Sequence, residues 1–289
     1  VTGREPPVLV RLRSALAGLP AAERRVADLV LADPPAAARA TVVELARAAG
    51  TSTASVVRLC QRIGYRRSKD FQLALGADHA SALSEGRSSL GEAIEPGDPL
   101  AAVVQKVSRA EAASLVDTAL ALDVEALERA VDAVAVARRV DVFGVGASSL
   151  AALDLHQKLT RIGRTALVWT DPHMAWTSAA TLDDSALACA VSHSGRTPEA
   201  ISYLQHARAG GATTLAITSS AGSPLAREAD VVLLTAARET EYRAGAMGSR
   251  IAQLMVVDCL FIGVARLHHE ASLELLARTY AVVGARRVR

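Results

Sequence analysis

A chain of 289 residues with 51% hydrophobic and 21% charged side chains has the make-up of a folded globular protein with room for two domains, which excludes an intrinsically disordered chain. Aromatic residues are only 3%, so alanine, valine and leucine must fill most of any core. The net charge of +2 hides an asymmetry: residues 1–80 carry net +5 and the rest net −3, which suits a polyanionic partner for the first part alone. Cys60, Cys189 and Cys259 are too few and too scattered for a disulfide framework or a metal site, and read as buried free thiols in a reducing compartment. No metal or other cofactor is expected. No basic-then-apolar leader is read, and the most apolar stretch, Leu254–Ala265, is short and carries Asp258; it reads as a buried helix, and the protein as cytoplasmic with no membrane partner.

In chain order, Val8–Ala17 and Ala21–Ala32 show helical apolar spacing, punctuated by Gly18, Pro20 and the Pro34–Pro35 pair. TVVELARAAGTSTASVVRLCQRIGY follows. Thr41 with Glu44 three positions on forms a capping box, Val42, Leu45 and Ala46 face inward, and Ala49–Gly50 ends the helix in a tight turn. Ser52 or Thr53 caps a second helix with an apolar stripe of Val56, Val57, Leu59, Cys60 and Ile63, closed by Gly64. Two short helices around a glycine turn match a helix-turn-helix, in which the start of the second helix reads base edges and flanking cations grip phosphates. Ser52, Thr53, Ser55, Arg58, Arg62 and Arg66 are the candidate DNA-binding residues, with Arg67 and Lys69 behind them. A solvated basic helical hairpin is the plainer alternative. Ser68 then caps a helix whose Phe71, Leu73 and Leu75 can pack on this domain, assigned to residues 1–80; a Ser-, Gly- and Pro-rich linker is assigned to 81–98.

The second domain, residues 99–289, opens with helical patterns from Pro99 and, capped by Asp123, from Val124. The period then changes. Val140–Gly146, TALVW, Ser185–Val191, Thr213–Thr218 and Asp230–Thr235 are short apolar strands alternating with helices, the pattern of a doubly wound five-stranded parallel sheet. Ser148 or Ser149 caps the helix after the first strand. Ligands of such sheets bind at the carboxyl ends of the strands, where strand order reverses.

Two hydroxyl-rich loops fall there: Gly146–Ser149 after the first strand, and SHSGRTP, Ser192–Pro198, after the third. Helix starts favour anions, Ser and Thr add small donors, and Gly195 admits close backbone approach. Three hydroxyls in the six residues Ser192–Thr197 exceed what capping one helix needs, so a phosphomonoester is the expected guest. GVGASS, SHSGRTPE and TSSAGSPLAREADVVLLT resemble a SIS (sugar isomerase) domain. With LARAAGTSTASVVRLCQRIGY ahead and EYRAGAMGSRIAQLMVVDCLF behind, nearly the whole chain resembles the RpiR family of bacterial transcriptional regulators. The resemblance implies an all-α helix-turn-helix domain joined to an α/β SIS domain that senses a phosphosugar. It implies phosphate binding by Ser148, Ser149, Ser192, Ser194 and Thr197, with His193 and Gly195 in the same loop and Glu241 and Arg250 near the sugar or a subunit contact.

An isomerase or lyase is the competing reading, with His193, Glu199, Glu239 and Glu241 as candidate acid–base groups. Related isomerases often read S-x-S-G-E-T, whereas Arg196 stands at the acidic position here, and an isomerase has no use for a basic helix-turn-helix. The chain is therefore read as a non-catalytic regulator whose affinity for double-stranded operator DNA changes with a bound phosphosugar. A homodimer or homotetramer is expected from two-fold operators. Trp169 and Asp171–His173 are left between pocket wall and surface loop.

Overall fold

A computed structural model describes residues 7–84, 94–237 and 246–284. It divides into two compact units, one running to Ala121 and taking in the segment from Ala236, the other holding Leu122–Thr235 and the C-terminal helices.

The first unit is helical: α1 (Val8–Ala15) with a 3-10 turn (Leu16–Gly18), α2 (Ala21–Ala32), α3 (Pro34–Arg39), α4 (Val42–Ala48), α5 (Thr53–Arg62), α6 (Ser68–Ser84) and α7 (Leu100–Ala121). The prolines read as punctuation instead start α3, because the Asp33 carboxylate accepts from the Ala36 N–H at 3.0 Å and Pro34 occupies the first helical position. The Thr41–Glu44 capping box forms as expected, with the Thr41 N–H donating to Glu44 Oε2 at 2.6 Å; these bonds hold the Glu44 carboxyl below its ordinary range. After α4 the Thr51 N–H donates to the Ala46 carbonyl at 2.8 Å, a Schellman closure for which Gly50 supplies the left-handed φ of +59°. Leu12, Val30, Leu45, Val56, Leu59, Cys60 and Phe71 meet in one core. Leu73, expected to pack beside Phe71 and Leu75, is 66% exposed, because α6 buries the face spaced four residues apart. Helix α7, expected to open the second domain, packs on α1 through an Arg13–Asp117 ion pair of 2.7 Å, and the Thr118 hydroxyl accepts from the Ala236 N–H at 3.1 Å.

The second unit comprises α8 (Val124–Val136), β1 (Arg139–Gly144), α9 (Ser148–Arg161), β2 (Ala166–Trp169), α10 (Pro172–Ala179), β3 (Ala186–Val191), α11 (Pro198–Ala209), β4 (Thr213–Thr218), α12 (Pro224–Arg227), β5 (Val231–Leu234), α13 (Met247–Leu267) and α14 (His269–Gly284). All strand pairs are parallel, in the order β2-β1-β3-β4-β5. The five strands are those read from the sequence, with no end shifted by more than two residues.

Side chains alternate across the sheet. Val140, Val142, Leu187, Cys189, Val191, Leu215 and Ile217 pack under α8, α9 and α13, whereas Phe143, Ala188, Ala190 and Ala216 face α10 and α11. The alanine face is thin, and Tyr203 and Leu204 of α11 fill it. Helix α13, which contains the apolar run, buries Ala252, Val256, Val257, Leu260 and Val264 in this core. Among the described residues no single helix is long and apolar enough to cross a membrane. Cys60 and Cys189 are buried and their thiols pushed up, to about 11 and about 12, by desolvation; Cys259, expected to be buried, is partly exposed because it lies off the inward stripe of α13.

Candidate functional site

The strand order reverses between β1 and β3, whose ends are paired at Gly144 and Val191. Chains leaving adjacent parallel strands at their carboxyl ends enter helices on opposite faces and leave a crevice between them. The Gly146–Ser149 and Ser192–Thr197 loops therefore start side by side.

The hydroxyls are not spent as helix caps. Helix α9 begins after Ala147, itself in a helical conformation, and has no side-chain cap, contrary to the expectation for Ser148 or Ser149. Ser149 instead donates to the Gly146 carbonyl at 2.7 Å, so its proton is already used. Ser148 is 9% exposed and its Oγ accepts from Gln253 Nε2 at 3.0 Å, which leaves the Ser148 O–H to donate elsewhere. Helix α11 likewise has no side-chain cap at Thr197; the Thr197 hydroxyl pairs with that of buried Ser192 at 2.9 Å. One O–H of such a pair is always left over. Ser194 Oγ accepts the Arg196 N–H at 3.2 Å, and this hydroxyl also keeps its proton.

The second loop is braced from below. The His193 carbonyl accepts from the Ser219 N–H at 2.9 Å, from Ser219 Oγ at 2.7 Å and from Thr218 Oγ1 at 3.2 Å. The Gly195 carbonyl accepts from the Leu225 N–H at 3.0 Å. Gly195 has a φ of +61° and lies against Ser223 and Thr218. The serines of TSSAGSP are thus the floor of the SHSGRTP loop, a role that sequence spacing left unassigned.

Gln253 also escaped the sequence reading. It lies 105 residues from Ser148, is 1% exposed, and its Oε1 has no hydrogen-bond partner among the described residues. Half-buried Arg250 precedes it by one turn of α13, a spacing that puts the two on neighbouring positions of the helix surface. Glu239 and Glu241 lie outside the described residues. Asp171 caps α10 by accepting from the Met174 N–H at 2.9 Å, and His173 stacks edge-on against Trp176, so Asp171–His173 is a helix start and not a loose loop. Trp169 Nε1 donates to Asp141 at 2.9 Å within the sheet. Among the described residues no three His, Cys, Asp or Glu side chains are grouped to hold a metal ion.

In the first unit, Ser52 caps α5 by accepting the Ser55 N–H at 3.2 Å. Ser52 and Thr53 are exposed, as are Arg58, Arg62 and Arg66. Ser55, expected on the exposed turn, is 2% exposed. Its hydroxyl lies between Ser52 Oγ and Arg58 Nη2, both at 3.0 Å, which turns it inward as a bracket. Arg25 of α2 clamps the turn, donating to the Ala49 and Gly50 carbonyls at 3.1 Å each.

These two sites match known families. Residues 7–82 match the model of the helix-turn-helix domain of the rpiR family, and residues 133–263 that of the SIS domain. An HTH-type transcriptional regulator of Caldanaerobacter subterraneus subsp. tengcongensis is 34% identical, covering 97% of this chain and 98% of its own. The HTH-type regulator YbbH of Bacillus subtilis is 33% identical over 94% and 95% of the two chains. The solved structure of Vibrio vulnificus NanR complexed with ManNAc-6P is 31% identical, covers 98% of this chain and 100% of its own, and superposes with a TM-score of 0.62. The Caldanaerobacter and Bacillus relatives are transcriptional regulators, in line with a non-catalytic reading, and the chain belongs to the RpiR family of helix-turn-helix transcriptional regulators that carry a SIS domain.

Proposed function

We propose that Ser148, Ser192, Ser194 and Thr197 bind the phosphate of a phosphorylated sugar, and that this binding shifts the affinity of the regulator for operator DNA. The observation that carries the reading is that the hydroxyls at the starts of α9 and α11 cap neither helix, while three of the four retain a proton and the fourth shares one. Two long helices begin there, and their dipoles add to the attraction for an anion. His193 and Gly195 shape the same loop; Ser149 contributes by turning its hydroxyl from the Gly146 carbonyl toward the phosphate. Arg250 supplies a cation from the adjoining face of α13, and Glu241 is assigned to the sugar end. NanR bound to ManNAc-6P supports the ligand class. On the DNA side, Ser52, Thr53 and Arg58 bond base edges and phosphates at the start of α5, and Arg62 and Arg66 grip the backbone of double-stranded operator DNA. The regulator works in the cytoplasm as a homodimer or homotetramer; exposed Leu150 and Leu153, one turn apart on α9, favour self-association.

Ser192→Ala with Ser194→Ala is expected to abolish the thermal stabilisation given by a panel of hexose and amino-sugar phosphates, ManNAc-6P included. Undiminished stabilisation by any of them would refute the cradle. Gln253→Glu is expected to weaken phosphosugar binding by about tenfold or more. The new carboxylate would take the Ser148 proton as an acceptor and place a negative charge beside the dianion. Calorimetric titration that gives equal affinities for the two proteins would count against the orientation assigned to Ser148.

A further inference from the structure

Glu23, in the first turn of α2, is a buried carboxylate in the DNA-binding unit, only 3% exposed. A charge so placed is costly unless paired. Its partners are both on α5: Arg62 Nε lies 2.7 Å from Oε2 and Arg58 Nε 3.5 Å from Oε1. The two arginines are four residues apart, hence on one helix face, and their side chains stay 57% and 49% exposed. From Arg58 the chain continues through Nη2 to Ser55 Oγ and on to Ser52 Oγ, the cap of α5, each step 3.0 Å. One buried carboxylate thus anchors the arginine stems and, through them, the start of the helix.

We propose that Glu23 is a positioning residue that sets sequence discrimination: it fixes the forks of Arg58 and Arg62 and cancels one of their two charges. Two free arginines on a helix surface would sweep many conformations and grip any phosphate within reach. Held at Nε by Glu23, and in Arg58 also at Nη2 by Ser55, each presents its remaining Nη hydrogens in one orientation, which suits a fixed pattern of acceptors on DNA and disfavours a random one. The cancelled charge lowers sequence-independent attraction, which scales with the number of phosphates neutralised. Glu23 trades general affinity for discrimination.

This inference rests on the placement of Arg58 and Arg62 at the DNA. The test uses the full chain, a duplex selected from a randomised pool by the unaltered protein, and a scrambled duplex of equal length. E23Q removes the charge and keeps the size. It is expected to bind scrambled DNA several-fold more tightly at low salt, to steepen the slope of log K against log salt by about 1, and to reduce the selected-to-scrambled ratio about tenfold. E23D, which keeps the charge, is expected to retain the original slope. A loss of packing alone would lower the melting temperature and weaken both duplexes without steepening the slope. An unchanged slope and ratio in a folded E23Q would overturn the proposal. Should E23Q not fold, the R58K/R62K double variant decides: it keeps both charges but not the forks. It is expected to lose discrimination at constant slope, and retained discrimination would overturn the proposal. R58A/R62A separates the two layers. If it leaves DNA binding untouched, the placement of the arginines fails; if it weakens binding while E23Q changes nothing, only the role of Glu23 fails.

Discussion

Asp141→Ala is expected to destabilise the sheet-containing unit by about 3–5 kcal/mol, the usual loss when one partner of a buried ion pair is removed. Asp141 is fully buried in β1, next to the alanines and Phe143. Its Oδ1 accepts from Arg139 Nε at 2.6 Å, and its Oδ2 from Arg139 Nη2 at 2.8 Å, Ser178 Oγ at 2.6 Å and Trp169 Nε1 at 2.9 Å. The cluster ties β1 to β2 and to α10, the flank of the sheet away from β4 and β5. Truncation takes the acceptor from the Trp169 indole N–H and the counter-charge from Arg139, whose Nη2 keeps its 2.6 Å bond to Ser178 Oγ. Nearby Tyr203 gives no relief: its phenol is held well above its ordinary range by burial first and by the Asp141 charge second, so it stays neutral and cannot replace the carboxylate. Asp141→Asn, which preserves shape and one acceptor, is expected to cost less than the alanine variant. Denaturant unfolding followed by the fluorescence of Trp169 and Trp176 measures both, and a loss below about 1 kcal/mol for the alanine variant would show that the cluster is replaceable by water.

The second large effect is expected at Gly195. A Cβ there would lie 2.2 Å from Ser223 Oγ, 2.4 Å from Ser223 Cβ and 2.8 Å from Thr218 Oγ1. Ser223 cannot step aside cheaply, because it is fully buried and caps α12 by accepting the Ala226 N–H at 3.2 Å. The backbone at +61° adds conformational strain of about 1–3 kcal/mol for a residue with a side chain, and overpacking adds about 1–3 kcal/mol more. The loop can escape only by lifting off its floor, which parts Ser192 and Ser194 from the crevice. Gly195→Ala is therefore expected to lower stability and to remove phosphosugar binding together. Gly222→Ala, in the neighbouring loop with nothing within 4 Å of the added carbon, is the matched control and is expected to change neither. Equal melting temperatures and equal ligand responses for the two variants would show that the loop is not seated as tightly as its contacts indicate.

The amino-acid sequence by itself determined every feature whose cause is local. The Thr41–Glu44 box, the Gly50 turn, the Ser52 cap and five apolar strands between helices could be read because caps, turns and periodicity act within a few residues of chain. Short helices with proline at the first position, such as α3, α10 and α12, went unread, since the same residues also mark turns and only the cap hydrogen bond separates the two outcomes. Tertiary structure alone decided which polar groups meet. The strand order that sets Gly144 beside Val191, the Gln253 amide on Ser148 across 105 residues, the Asp141 cluster, and Glu23 under Arg58 and Arg62 all join residues with no signal in their spacing. The physical reason is that burial makes pairing obligatory but does not name the partner; the partner is whatever complementary group the packed elements bring within 3 Å.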